Sequence, residues 1–200
     1  MDDSRSTARA RWGGLTREAV IEAATTLVDR SGDGELSIRA LAATLDVSPM
    51  ALYRHVADKH DLMAAVVDQL WAERWEPGLP RTEWRAWIID AADRQRRFLV
   101  EKPAALRVYL EQPVVSAAAM ERMGACIEVL RAALGDDDRA HRAYAAVHTY
   151  TVGFAAFEAA RSSAHEPVDD AERELAAFVS PAQFETGLGY LLDGISSAGQ

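Results

Sequence analysis

The chain has 200 residues, 49% of them hydrophobic, which is enough to bury a core in one domain or two small ones. No apolar run approaches about 18 residues, and the polar, arginine-bearing N-terminus does not resemble a signal sequence, so we expect a cytoplasmic protein without a membrane span. The net charge of −9 argues against a protein that coats nucleic acid with its whole surface.

Acidic residues are concentrated in the second part of the chain. Residues 1–60 carry 8 Lys and Arg against 9 Asp and Glu, a net charge of −1, which leaves −8 for residues 61–200. A near-neutral unit before an acidic body suits local contact with DNA, because the body is repelled from phosphates. The single cysteine, Cys126, cannot form an internal disulfide and is expected to be a small buried hydrophobe in a reducing compartment.

The N-terminal part is predicted to hold a polar segment and one helix. Residues 1–13 are small and polar with three arginines, so they form either a solvated tail or a basic arm that reaches phosphates or the minor groove. The first helix is predicted from Thr16, which can cap it, to Asp29. Glycines in Ser31–Gly34 can supply the left-handed residue that follows a helix.

The stretch Leu36–Lys59 is predicted to form two short helices joined by a tight turn. The first, Ser37–Leu45, begins with a serine whose hydroxyl can cap it. Asp46-Val47 makes the turn, and Ser48-Pro49 opens the second helix with a capping serine followed by proline at the first helical position. Two short helices at an angle, the second with a mixed polar and apolar exposed face, indicate a helix-turn-helix.

Beyond this motif the chain is predicted to be helical. A helix over 59–76 begins with Asp58 as its cap and Asp61 in a capping-box position, and Pro77–Pro80 interrupts the pattern. Apolar residues then recur at helical spacing without strand alternation or internal repeats, so we predict an all-α fold. The later helices are predicted at residues 82–101, 103–110, 116–134, 139–161 and 181–197, with a polar, mobile loop at 162–180.

The residues around the turn carry a resemblance to a known family. They lie in Leu15–Arg17, Leu36–Ala42, Val47–Val56, and Asp58-Lys59 with Leu62. In these places the chain resembles the TetR family of bacterial transcription regulators, over about Leu15 to Val67. Many members of that family have glycine where this chain has Asp46. A left-handed backbone there suits glycine best, but aspartate tolerates it better than most residues do.

The resemblance implies a two-domain architecture. Residues 1–60 would form the N-terminal arm and a three-helix DNA-binding domain that contains the helix-turn-helix. Residues 61–200 would form a larger antiparallel helical domain for ligand binding and dimerisation, and the long helix over 59–76 would connect the two. The last two long helices, around Tyr144–Phe157 and Phe184–Ile195, are apolar on more than one face, and in the family such helices form a four-helix dimer interface.

The resemblance also implies which residues meet DNA. The second helix of the motif would lie in the major groove, with Tyr53 and His55 on phosphates and Lys59 holding a phosphate at the start of the next helix. Arg39 would reach a base edge or a phosphate, as could Arg54, and apolar side chains could contact thymine methyls. Structural alternatives remain open: the Tyr53 ring could support the turn, and Arg39 could form a surface ion pair. The predicted DNA-binding residues are Arg39, Ser48, Pro49, Met50, Ala51, Tyr53, Arg54, His55 and Lys59.

A ligand site is predicted in the later helices, because the family holds a small molecule there. Aromatic and methionine side chains crowd these helices, which is also what an ordinary core requires. Gln95, His148 and Thr151 are uncommon on otherwise apolar faces and could anchor a ligand, although a lone helical histidine is more often structural. The predicted ligand-binding residues are Trp87, Gln95, Phe98, Tyr109, Met120, Met123, His148, Thr151 and Phe154.

These observations predict a homodimeric, sequence-specific DNA-binding transcriptional regulator, a repressor released by a small apolar or amphipathic ligand. The dimer would require a near-palindromic double-stranded DNA operator. The alternative is a helical small-molecule-binding or interaction protein with vestigial DNA binding, or a small-molecule enzyme. The sequence holds no nucleophile elbow, phosphate-binding glycine loop or cysteine–histidine metal spacing, so we expect no catalytic site, no metal and no cofactor.

Overall fold

The computed structural model describes residues 15–30, 36–72, 74–75, 77–111, 116–162 and 178–197. Predictions for residues 1–13, for the turn Ser31–Gly34 and for most of the loop at 162–180 lie outside these ranges. The described residues contain helices and turns but no strand, which confirms the all-α prediction. They form two compact units that divide between Leu70 and Trp71, ten residues beyond the predicted boundary at residue 60.

The described residues of the first unit form four helices, the last of which ends with the first residue of the second unit: α1 (Arg17–Arg30), α2 (Ile38–Thr44), α3 (Pro49–Leu52) and α4 (Lys59–Trp71). Helix α1 packs on α2, and α2 packs on α3. The buried side chains of the first unit recur at helical spacing, as expected for one apolar face on each helix. They include Val20, Ala24, Val28, Leu41, Leu52, Val56, Leu62 and Val66.

Helix α4 is shorter than predicted. It ends at Trp71 rather than near residue 76. The backbone N–H of Arg74 donates to the Trp71 carbonyl at 3.0 Å, a bond between residues three apart that replaces the regular helical spacing. The role of this helix as a connector between two domains remains a prediction.

The second unit contains five described helices: α5 (Trp84–Glu101), α6 (Pro103–Glu111), α7 (Ala117–Leu134), α8 (Asp137–Ser162) and α9 (Pro181–Ser197). Their bounds lie within two residues of the predicted ones. Helix α8 is central, because it contacts α5, α6, α7 and α9. That position explains why its sequence is apolar on more than one face.

The core of the second unit combines large side chains from α5, α7 and α9 with small ones from α8. Both ends of α7 are capped by neighbouring residues. The Ser116 hydroxyl accepts the Ala119 N–H at 3.0 Å, and Gly135 takes a left-handed conformation with φ of 68° after the helix. The core residues are Trp87, Ile88, Ala92, Ala125, Ile127, Val129, Leu130, Ala140, Ala143, Val147, Phe184, Leu188 and Leu192.

A buried ionic network joins three of these helices. The Arg96 side chain of α5 is 5% exposed and donates to both carboxylate oxygens of Glu158 on α8, at 2.8 and 2.7 Å. It also donates from Nε and Nη2 to Asp93 Oδ1, at 3.0 and 2.7 Å. The guanidinium lies over the Phe184 ring of α9, 5.3 Å from its centroid. Four charge-assisted bonds therefore offset the cost of burying this charge.

Helices α8 and α9 approach closely at Gly187. A Cβ atom at this position would collide with the Tyr150 hydroxyl and lie 3.0 Å from Tyr150 Cζ. The same hydroxyl donates to the Phe184 carbonyl at 3.2 Å. The small size of Gly187 therefore serves a contact between two helices of the same chain. Within the described ranges, no helix is both long enough and apolar enough to span a membrane.

Candidate functional site

The turn of the helix-turn-helix ends α2 with a pair of characteristic backbone bonds. Asp46 has a φ of 54°, the left-handed conformation that we predicted for it. Its N–H donates to the Ala43 carbonyl at 3.3 Å, and the N–H of Val47 donates to the Ala42 carbonyl at 3.0 Å. These are the two bonds of a Schellman motif, in which the residue after the helix cap must be left-handed. The turn thus sets where α3 begins.

Helix α3 begins as the sequence predicts. Ser48 is its cap, and its hydroxyl accepts the Ala51 N–H at 3.3 Å, while Pro49 occupies the first helical position. Leu52 is completely buried and anchors the helix in the first unit. Because one face is anchored in this way, the remaining side chains of the short helix are directed away from the core.

The predicted DNA-binding residues of α3 and of the turn after it differ in their exposure. Met50 is 74% exposed and Tyr53 is 41% exposed, so the tyrosine ring is half-buried and the alternative, a ring that supports the turn, stays open. Arg54 is exposed, whereas Ala51 and His55 are partly buried. Exposed apolar, aromatic and cationic side chains therefore lie on α3 and in the two residues that follow it.

Two further cations of the predicted DNA-binding set lie on the helices before and after α3. Arg39 on α2 and Lys59, the first residue of α4, are both exposed. Among the described residues, the Arg39 and Arg54 guanidinium groups have neither an ion-pair nor a hydrogen-bond partner. The nine predicted DNA-binding residues lie on α2, between Ser48 and His55, and at the start of α4, and their contact with DNA remains a prediction.

An Arg17 clamp, which the sequence reasoning did not identify, fixes the segment between α3 and α4. Arg17 of α1 donates to the His55 carbonyl at 2.8 Å and forms a two-bond pair with Asp61, at 2.9 and 2.7 Å. The hydrogen bond from Arg17 lowers the pKa of Asp61. Asp61 also accepts the Ala57 N–H, and its own N–H donates to Asp58, both at 2.8 Å. Asp58 thus caps α4 by accepting one N–H of its first turn, that of Asp61.

The second unit contains a cavity of about 270 Å³ among α5, α6, α7, α8 and the segment at Trp71 and Trp75 with which this unit begins. Its walls are rich in aromatic rings and soft apolar groups, with a few polar side chains, which is the usual composition of a ligand pocket. A smaller cavity of about 40 Å³ adjoins it and shares Gln95, Tyr144 and His148. The cavity is lined by Trp71, Trp75, Ala91, Gln95, Tyr109, Ala119, Met120, Arg122, Met123, Cys126, Tyr144 and His148.

Five of the nine predicted ligand-binding residues line this cavity: Gln95, Tyr109, Met120, Met123 and His148. The other four lie elsewhere. Trp87 belongs to the core, and Phe98 packs on Trp71 with ring centroids 4.4 Å apart. The Thr151 hydroxyl is buried and donates to the Val147 carbonyl of its own helix at 2.8 Å, and Phe154 packs edge-on against Phe184.

The polar side chains of the cavity form a connected group. Gln95 Nε2 lies 3.4 Å from His148 Nδ1, and the imidazole stacks on Tyr144 with ring centroids 5.5 Å apart. Burial lowers the pKa of His148, so its imidazole is neutral at neutral pH and can accept the Gln95 N–H. Burial also raises the pKa of Tyr144, which keeps its hydroxyl proton.

Several cavity residues were missed because their helices were assigned other roles. Trp71 and Trp75 were placed on the connecting helix, and Tyr144 was placed on a dimer helix. Arg122 offered a usable signal, since Ala119, Arg122, Met123 and Cys126 recur at spacings of three and four residues on α7. Arg122 is a charged residue within an apolar stripe, which is the same kind of signal that identified Gln95 and His148 as candidate ligand-binding residues. No cluster of potential metal ligands occurs among the residues described.

Comparisons with known proteins bear on the family and the fold of this chain. A family model described as the tetracyclin repressor-like, C-terminal domain matches residues 76–198. A similar sequence is an HTH-type transcriptional regulator of Saccharopolyspora erythraea, 28% identical over 201 positions that cover 92% of this chain and 85% of that protein.

Two solved structures are similar over nearly the whole chain. A TetR variant of Acinetobacter baumannii in complex with minocycline has a TM-score of 0.73 and 26% identity, covering 94% of this chain and 99% of its own. BioQ in complex with its double-stranded DNA operator has a TM-score of 0.65 and 26% identity, covering 92% of this chain and 99% of its own.

Proposed function

Because the chain belongs to the TetR family of transcriptional regulators, we propose that it binds a DNA operator through its helix-turn-helix and that a small molecule in the cavity of the second unit controls this binding. The observation that carries the proposal is the surface of α3. Leu52 anchors the helix, while Met50, Tyr53 and Arg54 are exposed, as are Arg39 and Lys59. Arginine can pair with guanine in the major groove, and lysine and tyrosine can hold phosphates.

We propose that the regulator acts as a homodimer through α8 and α9. Phe157 on α8 is 70% exposed and Tyr190 on α9 is 72% exposed, although both are large and apolar. Exposed side chains of this size on two long helices suit a self-complementary interface, which would bury them against a second copy. A two-fold dimer presents two copies of α3 and therefore requires a near-palindromic operator.

The proposed direction of control is repression that a ligand relieves. A ligand can only shift the protein between DNA-binding and released states by binding the released state more tightly. Support comes from relatives, since similar proteins have been seen with a DNA operator and with minocycline. This role would place the protein in the cytoplasm.

The test is selection of genomic fragments by the purified full-length protein, followed by affinity measurements on the enriched fragment. We expect Arg39→Ala and Tyr53→Ala each to weaken binding by about tenfold, since each removes a contact to DNA. Affinity should also fall steeply as the salt concentration rises, because cationic side chains displace counterions from phosphates.

Arg30→Ala is the matched control, because Arg30 is an exposed arginine of the same unit at the far end of α1. It should leave the affinity within about twofold of the original. If no fragment is enriched, or if binding is insensitive to salt, the result supports the alternative of a ligand-binding protein with vestigial DNA binding. The net charge of −9 also favours that alternative. Equal losses for all three variants would contradict the assigned surface.

A further inference from the structure

We propose that the cavity of the second unit takes a planar aromatic ligand that carries a carboxylate group. This proposal rests on the proposed ligand control and names the chemical class of the ligand. It follows from three properties of the cavity: its volume, the aromatic side chains in its walls and the positive charge of Arg122.

The volume sets the size of the ligand. An engineered cavity of about 150 Å³ binds benzene. The cavity here measures about 270 Å³ and adjoins a further 40 Å³, so it has room for two or three fused rings. A ligand of that size would contact several helices at once.

The walls favour flat, polarisable groups. Trp71 and Trp75 come from the end of α4 and the segment after it, Tyr109 comes from α6, and Tyr144 comes from α8. Aromatic rings from three parts of the chain offer stacking and edge-to-face contacts, which are directional and favour another aromatic ring over a saturated one. Thioether groups on α7 can adapt to the ring edges.

The electrostatics favour an anion. Arg122 is the one charged side chain among the described residues that line the cavity, and it is 8% exposed. The other polar lining groups are uncharged at neutral pH, including the Gln95 amide and the His148 imidazole. A buried guanidinium strengthens its bonds to a carboxylate, and it repels a cationic ligand.

Arg122 also has an interaction within the protein. Its five N–H donors allow it to serve a ligand carboxylate as well. A neutral aromatic ligand would fill the same volume without charge-assisted bonds. The predicted order of affinity is therefore aromatic carboxylate, then aromatic amide, then aromatic amine, with saturated carboxylates weaker than aromatic ones.

The test is calorimetric titration of the full-length protein, without DNA, using naphthoate, naphthamide, naphthylmethylamine and cyclohexanecarboxylate. We expect naphthoate to bind about tenfold more tightly than each of the others, the gain from one charge-assisted pair or from ring contacts. Arg122→Gln should reduce the preference for naphthoate over naphthamide to about twofold or less, while the affinity for naphthamide stays the same.

Arg131→Gln is the control, since Arg131 lies on the same helix, is exposed and does not line the cavity. If Arg122→Gln fails to fold, the order of the four probes on the unaltered protein still decides. Arg122→Lys, which keeps the charge but not the planar donor fork, should show an intermediate preference.

Cys126 reports where the probe binds, because it lines the cavity and is the only cysteine of the chain. Burial raises the pKa of its thiol to about 11, so alkylation is slow, and bound naphthoate should slow it further.

Four outcomes would overturn the proposal: no probe binds at millimolar concentration, the amide or amine binds as tightly as naphthoate, cyclohexanecarboxylate binds as tightly as naphthoate, or Arg122→Gln keeps the full preference. The proposed regulatory function fails on different grounds, since it requires DNA binding by the ligand-free protein. Tight naphthoate binding that leaves DNA affinity unchanged would reject ligand control by this compound and retain the ligand class.

Discussion

At the scale of single residues, the turn of the helix-turn-helix depends on Asp46. Its φ of 54° is required because the Schellman bonds of Ala42 and Ala43 demand a left-handed residue after the α2 cap. Aspartate supplies this conformation at some cost, whereas glycine has no Cβ to clash. The side chain at this position therefore affects stability without contacting the core.

Asp46→Ala should reduce the free energy of unfolding by roughly 1 kcal/mol relative to Asp46→Gly, because alanine is strained in a left-handed conformation and glycine is not. Urea unfolding of the two variants and the unaltered protein measures the difference. Equal stability of the alanine and glycine variants would show that the turn does not need a left-handed residue in solution.

Arg96 illustrates how a buried charge is held by several partners. Arg96→Met should cost about 3–5 kcal/mol in the free energy of unfolding, because Glu158 would remain largely buried without its cation. The neighbouring Arg97 shares Asp93 but its side chain is 53% exposed, so Arg97→Met should cost less than about 1 kcal/mol. Comparable losses in denaturant titrations of the two variants would contradict this assignment.

His148 should make stability depend on pH. Burial lowers its pKa below the ordinary value of 6.5, so the folded protein binds this proton less readily than the unfolded chain does. The resulting stability is complete above pH 6.5 and is lost as the pH falls below 6.5 and through the folded pKa. Tyr144 and Cys126 share the cavity and keep their protons in this range, because burial raises both of their pKa values.

His148→Gln should therefore flatten the pH dependence of the melting temperature between about pH 7.5 and pH 5.5. Melting curves of the variant and the unaltered protein across this range provide the measurement. A parallel decline in both proteins would assign the dependence to other groups.

At the scale of helices, α8 organises the second unit because four other helices pack around it. Such a helix needs small residues where neighbours approach closely and large ones where they do not. At its contact with α9, the large side chain, Tyr150, is on α8, and the small residue that allows the close approach, Gly187, is on α9. Position 187 therefore tolerates no side chain while Tyr150 keeps its place.

Gly187→Ala should destabilise the protein by about 1–3 kcal/mol, since the added methyl group would collide with the Tyr150 hydroxyl. Adding Tyr150→Phe should recover part of the loss by removing the colliding oxygen. Gly194→Ala on the same helix has open space around it and should cause no loss. Thermal unfolding of the four proteins checks this, and a stable Gly187→Ala protein would place the two helices further apart.

At the scale of the whole molecule, we propose a different role for each unit: the first binds DNA, and the second binds a ligand and a second copy of the chain. The proposed dimer can be tested through its exposed apolar residues. Phe157→Ser with Tyr190→Ser should shift the protein toward monomer in sedimentation experiments, because the interface would lose two large buried side chains. DNA affinity should fall in parallel, since two recognition helices would no longer be held together.

Leu110→Ser is the matched change outside α8 and α9, because Leu110 is also exposed and apolar but lies on α6. It should leave the sedimentation coefficient unchanged. A monomeric Leu110→Ser protein, or a double variant that remains dimeric, would move the interface to another surface.

Part of the site could be predicted from the sequence because its causes are local. The caps at Thr16, Ser37 and Ser48 depend on residues within three positions, and each hydroxyl accepts the expected N–H. The strain at Asp46 is similarly local. The apolar spacing of each helix identified the buried faces, since helical period and burial are coupled along a few turns.

The cavity was only partly predictable because its walls come from residues far apart in the chain. Gln95 and His148 are 53 positions apart, yet their side chains meet at 3.4 Å. Spacing along a helix shows which side chains share a face, but it does not show which neighbouring helix that face meets. For this reason Trp87 and Phe98 were grouped with the cavity residues, while Arg122 and Tyr144 were not.

The sequence alone determined the all-α fold, the helix-turn-helix and the TetR family resemblance, because helix caps, turn geometry and apolar period are encoded within short stretches. Only the tertiary structure decided that Arg17 holds the segment between α3 and α4, that Arg96 is buried between two carboxylates, and that Arg122 lines the cavity. Those features arise where helices pack together, and packing is determined by the combined shapes and charges of side chains that are distant in sequence.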